Sequence, residues 1–121
     1  TSRNHLQKRL NYFKESVMDK VLEETSLIIT MYESGAWVSS ENLRAMLREL
    51  SSNYYHLSRF NIEYFQKYNA VQYKHKGSVS SGKILAEEQV PELRLLRKIM
   101  EATDNVIWSI RSEISILKKE S

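Results

Sequence analysis

Residues 76–84 read Lys76-Gly77-Ser78-Val79-Ser80-Ser81-Gly82-Lys83-Ile84, KGSVSSGKI, and the choice of fold turns on them. The run contains Gly-x-x-x-x-Gly-Lys, one residue short of the loop with which nucleotide hydrolases cradle phosphates. Were it that loop, a buried parallel strand would precede it and the chain would be α/β. Two features argue otherwise. Ile84 stands where a hydroxyl should follow the lysine to reach magnesium, and the preceding KYNAVQYKHK is polar and continues a helical face. The stretch therefore reads as a Gly/Ser connector, residues 77–82, between two long helices.

Outward from that connector the apolar spacing is helical on both sides. Upstream, Leu43, Met46, Leu47, Leu50, Tyr54, Leu57, Phe60, Tyr64, Tyr68 and Val71 recur at three- and four-residue steps. Ser39 and Ser40 are good N-caps, and Glu41 sets a negative charge at the positive end of the helix dipole, which predicts a helix over 40–76. Downstream, Leu96, Ile99, Thr103, Val106, Ile110, Ile114 and Leu117 form one seam flanked by Leu93, Met100 and Ile107. The residue before a proline avoids the α region, so Val90-Pro91 predicts that this helix begins at Pro91 and runs over 91–119, with room for a short extra helix in 83–90.

The amino-terminal third predicts a third rod over 3–34, closed by Gly35. Leu6, Leu10, Phe13, Val17, Val21, Ile28 and Tyr32 make its main stripe, and Met18, Leu22 and Ile29 a second one. Two stripes widen the apolar arc beyond what one neighbouring helix covers, so this rod should touch more than one. With 121 residues, three glycines and one proline, the chain reads as a single all-α domain, residues 1–121: an up-down-up bundle of three long amphipathic helices.

Composition excludes several functions. There is no cysteine, hence no disulfide framework, thiolate zinc site or cysteine nucleophile. The longest apolar runs, such as Leu27-Ile28-Ile29, fall far short of the roughly 20 residues that cross a bilayer. Together with an amino end that carries no apolar signal core, this suggests an intracellular, cytoplasmic protein. His5, His56 and His75 are far apart, and none has a carboxylate or histidine at the spacing that places two ligands on one helix face. Glu23-Glu24 and Glu87-Glu88 are adjacent pairs, splayed by about 100° on a helix, the wrong geometry for paired-carboxylate chemistry. The expectation is a chain with no cofactor, no metal, no small-molecule substrate and no catalytic residue.

What remains is holding a partner. Excess apolar surface on the first rod, and Trp108 pointing away from the seam beside Glu101, Asp104 and Arg111, make Trp108, Met18, Leu22 and Ile29 the expected partner-binding residues of an interaction or assembly module, a homo-oligomer or a binder of a helical protein. Trp37, in SGAWVSS, is expected to plug the end of the bundle.

The alternative is nucleic acid. Residues 39–85 hold seven Lys/Arg against three Asp/Glu, the source of the net charge of +3. The second helix sets Arg48, Tyr55, Arg59, Lys67, Tyr73 and Lys74 away from its apolar side, with Lys76 beyond, a basic row with aromatics to stack on bases. A remote alternative is a small helical ribonuclease: Arg48 and His56 together resemble the Arg-to-His motif of the HEPN ribonuclease superfamily, although the seven residues between them exceed that motif's spacing.

Overall fold

Serine caps and one proline set the element boundaries. The computed structural model describes residues 2–35 and 39–120, with the side chains of 2–4, 7, 10–15 and 120 outside the description. Four helices pack together: α1 (Ser2–Glu33), α2 (Ser40–Lys74), α3 (Val79–Gln89) and α4 (Glu92–Glu120). α1 ends where Gly35 takes φ 72, a left-handed conformation that an L side chain resists. Ser39 caps α2, its hydroxyl accepting from the Asn42 N–H at 3.2 Å. Pro91 starts α4 rather than kinking a longer helix: α3 closes at Val90, and α4 opens at Glu92.

The connector differs from expectation. Residues 79–82 are not loop but the first turn of α3, an eleven-residue helix. Ser78 caps it, accepting from the Ser81 N–H at 3.2 Å. Gly82 reads as a helix breaker in sequence, yet it is buried inside α3, where a Cβ would lie 3.4 Å from Cδ2 of His75. Gly77 makes the same accommodation more tightly, since a Cβ there would fall 2.5 Å from His75 Nε2. Both glycines make room for one imidazole, whose Nε2 lies 2.8 Å from Ser81 Oγ. That hydroxyl donates to the Ser78 carbonyl at 3.0 Å.

The buried side chains fall into two clusters. The first joins Met18 and Leu22 of α1, Leu57 and Tyr64 of α2, and Val90, Leu93 and Leu96 around the start of α4. The second joins Ile28, then Leu43, Met46 and Leu50, then Val106, Ile107 and Ile110. Each cluster therefore draws on α1, α2 and the α4 end of the chain, so the core runs the length of α2 from Leu43 to Tyr64. The most extensive pairing of α2 is with α4; α3 packs on α2, and α1 meets both α2 and α4.

That two-sided seat settles which arc of α1 is inward. Met18 and Leu22 are buried, whereas Leu6 and Val17 of the nominal main stripe are 60% and 38% exposed. The core direction bisects the two stripes, because α1 lies in the groove between two helices instead of against one. Leu117, at the end of the α4 seam, is also exposed. The side chains of Leu10 and Phe13, and Trp37 with its expected role as a plug, lie outside the described residues.

Two threonines are fully buried and differ in satisfaction. Thr103 donates to the Ile99 carbonyl at 2.6 Å, while the Thr25 hydroxyl has no partner among the described residues. An unmet buried hydroxyl costs about 1–3 kcal/mol. Thr25→Val, which keeps the shape and removes the hydroxyl, should raise the midpoint of thermal unfolding by a few degrees. Thr103→Val should leave it unchanged or lower it. Differential scanning calorimetry of the two variants checks this, and the reverse order would show that Thr25 is satisfied.

Candidate functional site

The residues expected to meet a partner separate into two groups. Trp108 is 64% exposed, on the side of α4 away from Val106, Ile107 and Ile110. Asp104, Asn105, Arg111 and Ser112, its neighbours one turn away on the helix surface, are exposed too. Met18 and Leu22 are a correction: they sit in the chain's own core, and Ile29 is partly buried against the second cluster. The second stripe of α1 is covered by α2 and α4, and no outside partner is needed to cover it. The apolar side chains that α1 leaves exposed are others, namely Leu6, Val17, Leu27 and Met31.

On α2 all of Arg48, Tyr55, Arg59, Lys67, Tyr73 and Lys74 are exposed, as is Lys76 after it. The row is less uniform than its spacing implied. Arg48, Tyr55, Arg59 and Tyr73 share one face, joined by Arg44 and by Ile62, which the sequence reading passed over. On an ideal helix Lys67 and Lys74 lie about 100° further round. Lys67 is drawn aside by its own packing, with Nζ 4.5 Å from the centroid of the buried Tyr64 ring. Glu63, at the middle of the row, is half-buried. On the other flank of α2, Arg97 of α4 lies 5.6 Å from the Phe65 centroid.

Arg48 and His56 are both exposed, and the His56 ring stands edge-on to Tyr55 with centroids 5.8 Å apart. Neither lines the cleft beside Val71 and Leu85, the one beside Tyr68 and Arg97, or the one beside Ile28 and Asn53. Residues 76–84 form no phosphate cradle: the Ser81 N–H is taken by Ser78 Oγ and the Gly82 N–H by the Ser78 carbonyl, both inside the first turn of α3. Among the described residues no group of three or more His, Asp or Glu is placed to hold a metal ion, and no helix is long and apolar enough to cross a membrane.

One titrating contact ties α1 to α4. The Tyr32 hydroxyl donates to Glu113 Oε1 at 2.9 Å. Burial first, then this bond and the carboxylate charge, raise the Tyr32 phenol above its ordinary value, while a side-chain hydrogen bond with Ser109 opposes them. Compared with protein-family models, curated proteins and solved structures, the chain matches none.

The folded chain keeps the Tyr32 proton more tightly than the unfolded chain does. The resulting stability is complete below the ordinary tyrosine value of about 10 and is lost as pH rises through the higher folded value. Tyr32→Phe should therefore show a shallower fall in urea midpoint between about pH 9.5 and 11 than the parent chain. Parallel curves would mean that the Tyr32–Glu113 bond contributes nothing.

Proposed function

We propose that this chain is a non-catalytic assembly module in which α1, α2 and α4 form an up-down-up frame braced by α3, and that the frame associates with a second copy of itself through the outward face of α4. The observation that carries this reading is Trp108, 64% exposed on a helix whose opposite side is core. A large rigid aromatic left in water is the residue type that dominates association hot spots, and a two-fold pairing of one face with itself is the commonest route by which a small helical chain covers it. The lack of cysteine anywhere in the chain suits a reducing, intracellular setting.

A second reading rests on the α2 face. Arg44, Arg48 and Arg59 lie exposed with Tyr55 and Tyr73, cations for phosphates beside rings for bases, and this supports binding of single-stranded nucleic acid. Its signature is salt: affinity should fall steeply between about 50 and 200 mM salt, and Arg48→Glu with Arg59→Glu should abolish it. An absence of binding at the lower salt would remove this reading.

For the first reading, light scattering over a concentration series should give a mass above that of the monomer. Trp108→Ser should return it to the monomer with unchanged helical circular dichroism. A parent chain that stays monomeric throughout would overturn self-association.

A further inference from the structure

α1 has a second regular face that the core does not use. Leu6, Leu10, Phe13 and Val17, then Leu27 and Met31, follow alternating steps of four and three, with Lys20 and Glu24 at the two positions between. That alternation is the seven-residue repeat along which two helices interlock their side chains in a shared seam. The chain's own core takes other positions of α1, namely Met18, Leu22, Thr25 and Ile28. Leu6, Val17, Leu27 and Met31 are exposed, and so are Lys20 and Glu24. A seam with this period lies open to water on the side of α1 turned away from α2 and α4.

Lys20 and Glu24 single out what covers it. A polar residue at such a position fixes register and direction while lowering the stability of the pair. Two copies of α1 set side by side and antiparallel, with the two-fold axis midway between Lys20 and Glu24, bring each Lys20 opposite the other copy's Glu24. The same register sets Val17 opposite Leu27 and Phe13 opposite Met31. A parallel pair in register instead sets lysine against lysine and glutamate against glutamate, and like charges in contact are strongly unfavourable. Within a single helix, lysine four residues before glutamate is the weaker order of such a pair, so α1 gains little by joining the two itself. An unrelated helix would have to reproduce this charge order, which a second copy already carries.

We propose that the outward face of α1 docks against the same face of a second copy of this chain, antiparallel and registered by reciprocal contacts between Lys20 and Glu24. The surface is separate from the Trp108 side of α4 and does not rest on the association proposed there. Glu23, exposed beside the seam, adds a negative charge to the central layers, and those layers are themselves charged where an apolar pair would bind more tightly. The α1 contact is therefore weak and belongs to millimolar chain concentrations, above those at which the α4 contact is read. Where both faces are occupied each chain has two neighbours, and assembly proceeds past the dimer.

The chain has no cysteine, so introduced ones report the pairing without interference. In the Trp108→Ser chain, which lacks the α4 anchor, Val17→Cys and Leu27→Cys are made separately and oxidised at millimolar concentration, each alone and the two mixed. A disulfide forms only where the Cα atoms come within about 7 Å. The antiparallel register predicts a dimer linked from position 17 to position 27 in the mixture, identified by mass spectrometry, and little from either variant alone. Adding Lys20→Glu to both should cut the mixed product about tenfold, and Lys20→Glu together with Glu24→Lys should restore it. All four positions are exposed, and unchanged helical circular dichroism confirms that each variant folds. Linkage of each variant to itself would show a parallel pair, no linkage in any sample would show that a second copy does not cover the face, and a yield indifferent to Lys20→Glu would show that the charges do not set the register. Each of these overturns the proposal while leaving the α4 contact to be decided by light scattering of the parent chain.

Discussion

The structure rests on a spine of three leucines. Leu43, Leu50 and Leu57 stand seven residues apart on α2, and each is entirely removed from solvent. Seven residues on a straight helix return to nearly the same direction, with a drift of about 20° per repeat, so the spine presents one continuous ridge to both α1 and α4. Leu43 and Leu50 anchor one cluster and Leu57 the other, which makes α2 the element through which both halves of the core are joined. Deleting one such side chain in a close-packed interior removes both the transfer energy and the contacts around the cavity, about 2–5 kcal/mol. That is a large share of the 5–15 kcal/mol by which domains of this kind are stable.

Around this ridge the chain manages its polar interior unevenly. Thr103 folds its hydroxyl back on its own helix, and Tyr32 reaches across from α1 to Glu113. The Thr25 hydroxyl, Asn61 Oδ1 and Glu113 Oε2 have no partner among the described residues. These atoms lie on α1, α2 and α4, so each of the three long helices carries one such unmet group. The pairing of α2 with α4 is more extensive than that of α1 with α2.

The far end of α2 follows another principle, close approach. His75 packs into space left by two glycines and bonds Ser81, fixing α3 back against the helix it has just left. The charged row on α2 and Trp108 on α4 lie outside these arrangements. Neither is required by the core, and that freedom from structural duty is what makes each a candidate for contact with other molecules.

Much of the architecture was legible because helix formation is local. The apolar period of α2 located Leu43 through Val71, all buried or half-buried, and Ser39, Gly35 and Pro91 marked ends to within a residue or two. The outward placement of Trp108 and of the basic row also follows from angle along a single helix. Three things required the tertiary structure. Which arc of α1 turns inward depends on its seat between two helices, so Met18 and Leu22 became core while Leu6 and Val17 did not. Residues 79–82 are helical because Ser78 caps them and His75 uses the glycines for packing, whereas in sequence the same glycines read as breaks. The cleft of Glu24, Glu49 and Asn53 joins residues more than twenty positions apart. No local spacing encodes their meeting, since it exists only once two amphipathic helices have paired, and pairing is decided by the total apolar surface they bury.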